Sequence, residues 1–384
     1  MPFTNPIEDR ICYANSALLI LIHAPFFRTY ISTYKIRENT TASTPLHLEI
    51  IEILDSLGNP FNKNFLNANS VIEEVNKWSI AEAEKFESQA VIFTTGDDCD
   101  CEEFFKVLLN ALDEEKKKLK CKIYTTNDLL TSATSTFTTV VCCTAEGCGN
   151  ENKNIEYSST IQLAPTKQKS GDTFANTQEK KEFTSIFTFE DMITEFMTPP
   201  GILPDYKCDK CKAANTTNKS HYFSKLAPIL IICIPGFDND NINVHDVYRE
   251  KYILEEGSLK KNYVPWSFVC RTEPSAGVFH FIVVSKYFGI DGVPVQQWIM
   301  FDDDETTKVV EKEMSDLVTG PVMMILIEEG ELKDGVKKVG KQSPSVTSIS
   351  SSPLFGQVQS PSTSIKSVGS SSATPKHRDD SFGL

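Results

Sequence analysis

The chain has 384 residues, 40% of them hydrophobic, which is enough to bury a core in one large domain or two smaller ones. Asp and Glu outnumber Lys and Arg by 52 to 38, and the net charge of −14 argues against a general nucleic-acid-binding protein. No apolar run reaches membrane-spanning length, and the eleven cysteines form no dense disulfide framework, so we expect a cytoplasmic or nuclear protein with no membrane partner.

Near the start, the segment Ile11-Cys12-Tyr13-Ala14-Asn15-Ser16 places a thiol directly before an apolar run that extends to Ile22. If that run is a buried helix, Cys12 lies at its N-terminus, where unpaired N–H groups and the helix dipole favour a thiolate. Free cysteines are also common in protein cores, so this segment alone leaves a structural role open.

Helical periodicity dominates the first third of the chain. Thr44-Pro45 is typical of an N-cap followed by proline in the first turn, and Gly58-Asn59-Pro60 ends that helix. Further helices are predicted over Val71 to Phe86 and Glu102 to Lys120, because apolar residues recur there at helical spacing.

Strand patterns follow, with a change to Thr- and Val-rich sequence from about Thr125. Apart from a helix over Phe189 to Met197, strands are predicted at Thr136 to Val141, Pro228 to Ile234, Trp266 to Cys270, Phe279 to Ser285, Trp298 to Phe301 and Val322 to Ile327. Helices first and strands later indicate an α+β body, 1–332. The Ser- and Pro-rich segment 333–384 has few apolar residues and is predicted to be a disordered tail.

Two later positions could complete a thiol-protease site with Cys12, which needs a base and a group that orients the base. His280 lies in the strand pattern Phe279 to Val284, and Asp302 follows the strand pattern Trp298 to Phe301. If the strand that carries His280 lies beside the strand that ends at Asp302, the Asp302 carboxylate can accept an imidazole N–H. Taken alone, a histidine on an apolar strand is more often structural, and an Asp triplet is more often a solvated turn.

The order of these segments resembles the ubiquitin-specific proteases, thiol enzymes that cleave ubiquitin from proteins. The resemblance covers about residues 7 to 329 and includes Cys-Tyr-x-Asn-Ser at Cys12, the His280 strand and Trp-x-x-Phe-Asp-Asp from Trp298. The stretch Asp100 to Leu112 is similar to the second half of a family box that opens a helix, and Tyr206 to Lys212 is similar to a cysteine-containing family segment.

This resemblance implies a papain-like cysteine protease core with a helical thumb, a palm of strands and a fingers sheet that grips ubiquitin. It also implies that Cys12 is the nucleophile, His280 the base and Asp302 the orienting group. The expected partners are ubiquitin and ubiquitinated proteins, whose basic ubiquitin tail suits the acidic balance of the chain.

A structural zinc is expected in the fingers. Cys208-x-x-Cys211 has the spacing of a zinc half-site, and the family carries a second cysteine pair before the outer fingers strand. Here Cys143 and Cys148 occupy that place with a gap two residues longer than the usual one. The alternative is a metal-free finger with reduced cysteines.

Several family positions are altered in this chain. Ile7 stands where the family usually has an Asn that donates to the oxyanion, and Asp9 stands where it has Gly. Asp98 and Cys99 replace two Gln residues, and Leu19 replaces a third.

Three hypotheses follow. The first is a thiol-dependent deubiquitinase, the second is a catalytically weak or inactive ubiquitin-binding scaffold, and the third is a zinc-stabilised interaction module unrelated to ubiquitin. The other histidines, His47 and His221 among them, lie in no recognisable motif.

Overall fold

A computed structural model describes a large part of the chain between residues 10 and 330. The described residues are 10–24, 27, 30–31, 40–41, 43–58, 68–96, 99–119, 132–163, 185–197, 206–214, 216–234, 242–244, 247–275, 278–288, 294–303, 305–318 and 320–330. The predicted tail, 333–384, lies outside these residues.

Helices come first and strands later, as predicted. The helices are α1 (Cys12–Ile22), α2 (Pro45–Gly58), α3 (Asn69–Lys85), α4 (Cys101–Lys118), α5 (Phe189–Met197) and the short α6 (Met314–Leu317), which follows a 3-10 turn at Glu311–Glu313. The strands are β1 (Ser135–Cys143), β2 (Glu151–Ser158), β3 (Ile161–Gln162), β4 (Ser185–Phe187), β5 (Thr217–Lys225), β6 (Ile229–Cys233), β7 (Ile242–Val244), β8 (Tyr252–Glu256), β9 (Leu259–Ser275), β10 (Val278–Phe288), β11 (Pro294–Asp302), β12 (Glu305–Val309) and β13 (Pro321–Glu328).

Most of these strands form one large sheet, which we call the palm. Its order is β12-β11-β10-β9-β13-β6-β3, with β8 paired to β9, and all pairs are antiparallel except β3 with β6. A second antiparallel sheet, β2-β1-β5, forms the fingers, and β4 pairs with β7 in parallel. Helices α1 to α4 form the thumb, so the expected three-part division is present.

Both faces of the palm are covered, because successive side chains along its strands pack alternately in two different cores. On β13, Met323, Ile325 and Ile327 pack with the thumb helices, whereas Met324 and Leu326 pack in a second core with α5 and α6. Because successive side chains of a strand point to opposite faces, strands buried on both sides are nearly continuous apolar runs. This is why β6 and β13 were recognisable from sequence.

A buried polar network joins the thumb helices. Glu115 of α4 accepts hydrogen bonds from the backbone N–H groups of Leu46 and His47, both at 3.0 Å, in the first turn of α2. The same carboxylate lies 2.8 Å from His47 Nδ1, and His47 Nε2 lies 2.8 Å from the Tyr30 hydroxyl. The ionised carboxylate can only accept, so Nδ1 donates to Glu115, and Nε2 shares a hydrogen bond with the Tyr30 hydroxyl. The network therefore ties α4 to α2.

One expectation from the sequence is corrected here. Thr44 does not cap α2 with its side chain, because its hydroxyl bonds to the backbone of Thr41, and Glu115 satisfies the first-turn amides instead. His47, which lies in no motif, is fully buried in this network. The contacts of Glu115 join residues far apart in the chain, so no local pattern indicates them.

Several strands were missed because they are polar. Every residue of β2 from Glu151 to Tyr157 is exposed, and β5 and β12 are exposed over most of their length. Such strands form through backbone pairing with a neighbour, β1 or β11, and leave little hydrophobic signal. Among the described residues, no helix is long and apolar enough to cross a membrane.

The Glu115 network yields a stability prediction. Glu115→Ala leaves two first-turn amides and the His47 ring without their buried acceptor, so we expect the free energy of unfolding to fall by about 3–5 kcal/mol. Chemical denaturation measures this change. The matched control is Glu114→Gln on the same helix. The Glu114 carboxylate pairs with Lys117 at the surface, so its loss should lower the free energy of unfolding by less than about 1 kcal/mol. Equal effects of the two substitutions would contradict the role given to Glu115.

Candidate functional site

Cys12 is the first residue of α1, as the sequence predicts. All eleven residues of this helix are buried, and Cys12 itself is 6% exposed. The N-cap residue, Ile11, makes no side-chain capping bond. The thiol therefore lies at a helix N-terminus, where backbone N–H groups and the helix dipole favour negative charge.

Two hydrogen bonds hold α1 against the palm. Ser16 Oγ donates to the backbone carbonyl of Phe281 on β10 at 3.3 Å, one residue beyond His280. At the other end of the helix, Trp266 Nε1 on β9 donates to the carbonyl of His23 at 2.7 Å. Both bonds are buried, so the position of Cys12 relative to β10 is fixed at both ends of the helix.

The structure brings His280 and Asp302 together from neighbouring strands. His280 Nε2 lies 2.6 Å from Asp302 Oδ1, and the Cys12 side chain lies close enough to the imidazole to influence its pKa. Asp302 lies one residue beyond Phe301, which pairs with Val283 of β10. One imidazole thus bridges the thiol and the carboxylate, the order that nucleophilic catalysis by a thiol needs.

The surroundings of His280 favour its protonated form. The hydrogen bond with Cys12 is the main cause that raises the pKa of His280 to about 9, and Asp302 and Asp303 act in the same direction. Partial burial of the ring opposes this shift. An imidazolium beside Cys12 is the partner that a thiolate requires.

Asp303 is a contributor that the sequence did not single out. Its Oδ2 lies 3.8 Å from His280 Nε2, and its backbone adopts a φ of +46° in the turn between β11 and β12. Asp tolerates this left-handed conformation better than most residues. The available signal was the Asp triplet after Phe301, although Asp304 lies outside the described residues.

The four cysteines predicted to bind zinc form one group, which we call the finger cluster: Cys143, Cys148, Cys208 and Cys211. Their sulfur atoms all lie within 4.8 Å of one another. Cys143 Sγ is 3.6 Å from Cys211 Sγ, and Cys148 Sγ is 3.7 Å from Cys208 Sγ. The ten cysteines that the structure describes are all free.

These distances fit a tetrahedral zinc site. Zn–S bonds of about 2.3 Å in a tetrahedron separate the sulfurs by about 3.8 Å, whereas a disulfide needs about 2.05 Å. The backbone N–H of Cys211 is the main cause that lowers the pKa of Cys208 to about 6, so this thiol ionises readily. The longer gap between Cys143 and Cys148 is therefore compatible with a closed set of four ligands.

The altered family positions lie partly inside and partly outside the described residues. Ile7, Asp9 and Asp98 lie outside the described residues. Leu19, which replaces a family Gln, is a buried core residue of α1, and Cys99 is partly exposed with its Sγ 3.9 Å from the Thr94 carbonyl.

Comparisons with known proteins identify the family and the fold. A family model described as ubiquitin carboxyl-terminal hydrolase matches residues 9–330. No curated protein sequence matches the chain. The chain is similar in structure to a SAGA DUB module of Ubp8, Sgf11, Sus1 and Sgf73 bound to monoubiquitin, with a TM-score of 0.63 and 13% identity over 85% of this chain and 69% of the other. A SAGA DUB module of the same four proteins bound to ubiquitin aldehyde gives 0.62 and 14% over the same shares. Likeness at this identity is a likeness of fold.

The contacts of His280 lead to a pH prediction. Because its native pKa of about 9 exceeds the ordinary 6.5, its contacts stabilise the fold fully below pH 6.5, and that stabilisation is lost as the pH rises through about 9. Nuclear magnetic resonance titration should show the pKa of His280 falling in Asp302→Asn and falling further in Cys12→Ala. His221, whose pKa is lowered by burial, is the internal control and should not respond. An unchanged pKa of His280 in both variants would contradict the bridging arrangement.

Proposed function

Because the chain belongs to the ubiquitin carboxyl-terminal hydrolase family, we propose that it is a thiol-dependent deubiquitinase that hydrolyses the isopeptide bond at the ubiquitin C-terminus. The observation that carries the proposal is the position of His280, whose Nε2 lies 2.6 Å from Asp302 and whose pKa is raised by Cys12. Ubiquitin as the partner is supported by the similar Ubp8 modules, which are bound to monoubiquitin and to ubiquitin aldehyde. The free cysteines favour a reducing compartment, the cytoplasm or the nucleus.

The proposed mechanism assigns one role to each group. His280 takes the proton of Cys12, and the thiolate attacks the carbonyl carbon of the scissile bond. The imidazolium then protonates the leaving amine, which departs and leaves a thioester. Water, deprotonated by His280, hydrolyses the thioester and restores the thiol.

Asp302 orients the imidazole in this scheme and stabilises its positive charge. The 2.6 Å contact with Nε2 holds one nitrogen, so the other nitrogen is left to exchange a proton with Cys12 and the leaving group. Asp303 adds negative charge at 3.8 Å. The N–H groups at the start of α1 provide donors for the oxyanion.

The fingers are proposed to hold a structural zinc in the finger cluster. When bound there, the metal cross-links the β1–β2 turn to the segment before β5, which supplies Cys208 and Cys211. The exposed strand β2 has few buried side chains of its own, so this end of the sheet depends on the cluster.

A catalytically weak or inactive ubiquitin-binding scaffold is the second candidate, and the altered family positions favour it. The absence of an oxyanion donor at Ile7 is expected to lower kcat rather than ubiquitin affinity, because such a donor acts mainly on the transition state. The two candidates differ in whether ubiquitin tipped with an electrophile labels Cys12.

The first functional prediction concerns the nucleophile. Cys12→Ala should reduce cleavage of a fluorogenic ubiquitin substrate by at least about 10³-fold while ubiquitin affinity, measured by calorimetry, is retained. The control is Cys142→Ala, because Cys142 lies on the fingers sheet outside the finger cluster. A wild type that binds ubiquitin but shows neither turnover nor labelling of Cys12 would favour the scaffold. A wild type that neither binds ubiquitin nor cleaves the substrate would contradict the ubiquitin proposal.

The second concerns Ile7. Ile7→Asn restores the family donor, so kcat should rise by about tenfold or more if the new side chain reaches the oxyanion, with Asp9→Gly added to restore the local backbone. Steady-state kinetics separates kcat from KM. A wild type already as fast as typical family members, with no effect of Ile7→Asn, would show that another donor fills this role.

The third concerns the metal. Elemental analysis should give about one zinc per chain, and Cys208→Ser should lose it and lower the melting temperature, because metal binding and local folding are coupled. Cys142→Ser should retain the zinc. A metal-free and equally stable wild type would contradict the zinc site.

A further inference from the structure

The four sulfurs of the finger cluster differ in their exposure to solvent. Cys143, Cys148 and Cys208 are 4%, 8% and 1% exposed, whereas Cys211 is an exposed residue. Of the four residues, Cys211 is therefore the most accessible to a reagent dissolved in water.

The cluster is also unequal in its hydrogen bonds. Asn150 Nδ2 donates to Cys208 Sγ at 3.6 Å. Cys143 Sγ lies 3.5 Å from the Thr216 hydroxyl.

Among the described residues, Cys148 and Cys211 have sulfur neighbours. Cys148 Sγ lies 3.7 Å from Cys208 Sγ, and Cys211 Sγ lies 3.6 Å from Cys143 Sγ. Cys211 therefore differs from Cys148 in its exposure, and from Cys143 and Cys208 in both exposure and side-chain neighbours.

Both inequalities act in the same direction. A hydrogen bond to a metal-bound thiolate withdraws charge from the sulfur, which lowers its nucleophilicity and holds its side chain in place. Cysteine reactivity requires both a thiolate and access. Cys211 is the exposed ligand of the cluster, so it should react first.

We propose that Cys211 is a modification site for peroxide, through which the finger cluster releases its zinc. This inference rests on the zinc of the proposed function. The Cys211 thiolate attacks one oxygen of hydrogen peroxide, the O–O bond breaks, and a sulfenic acid and hydroxide form. Cys143, 3.6 Å away, then attacks that sulfur. The disulfide forms, a second hydroxide leaves, and the metal is released.

The electrons balance in this sequence. The two sulfurs together lose two electrons, and one peroxide molecule gains them. When the disulfide forms, the separation of the two sulfurs shortens from 3.6 Å to about 2.05 Å, and the pair no longer provides two thiolate ligands for the metal. A thiol reductant reverses the disulfide, after which the cluster binds zinc again.

The experiment uses the full chain with Cys12→Ala, loaded with zinc, so that the nucleophile of the candidate active site does not consume peroxide. Hydrogen peroxide is titrated, released zinc is followed with a chromogenic chelator, and the modified cysteines are identified by peptide mass spectrometry. We expect about one zinc per chain to be released together with a Cys143–Cys211 disulfide, and dithiothreitol to restore the cluster.

Two variants sharpen the test. Cys211→Ser should slow zinc release at a fixed peroxide concentration by about tenfold or more, because the most accessible thiolate is gone. Cys142→Ser removes a partly exposed neighbouring thiol outside the cluster and should leave the rate unchanged. If Cys211→Ser does not retain zinc, peptide mapping of the zinc-loaded parent protein decides the question.

The contradicting outcomes are distinct. First modification of Cys143, Cys148 or Cys208 in the zinc-loaded protein, or zinc release with Cys211 unmodified, overturns this inference and leaves the proposed zinc site intact. A preparation that never binds zinc overturns the metal site and the inference together, while the proposed hydrolysis at Cys12 is tested separately.

Discussion

The complete burial of α1 is the constraint on which the rest of the structure depends. A helix that is apolar on all sides must be surrounded, and here the thumb helices and one face of the palm enclose it. Ser16 and Trp266 fix its two ends to β10 and β9 through buried hydrogen bonds. The thiol of Cys12 is therefore held at a set position beside His280, and a helix able to slide by one residue would separate them.

Electrostatics then gives this position its chemical character. A helix N-terminus favours a thiolate, and the two carboxylates of Asp302 and Asp303 favour an imidazolium. The raised pKa of His280 reflects its interactions with Cys12 and with these two carboxylates. The pair is also close to the surface, since the His280 side chain is 20% exposed. The candidate nucleophile is thus placed by a buried helix, and its base remains open to a substrate.

The fingers are stabilised in a different way from the thumb and palm. Near the palm, Phe137 and Phe223 pack with Phe196 of α5 in the second core. Farther along, β2 is exposed, and the finger cluster is the main buried group. Hydrophobic burial therefore holds one end of this sheet, and four sulfur atoms hold the other. Stability at that end depends on the chemistry of those sulfurs, including their exposure to solvent.

The sequence by itself determined the elements with strong periodicity and the residues with motif spacing. It predicted α1, α2, α3, α4 and the apolar palm strands, named Cys12, His280 and Asp302, and paired Cys143 and Cys148 with Cys208 and Cys211. The predicted elements are confirmed because burial imposes a regular apolar pattern. The structure brings the named side chains into groups, and their catalytic and metal-binding roles stay predictions. Only the tertiary structure revealed the polar strands β2, β5 and β12, the Glu115 contact with His47, the second carboxylate at Asp303 and the unequal donors around the finger cluster. Each of these depends on groups that are distant in sequence or on backbone pairing, and neither leaves a periodic signal in the chain.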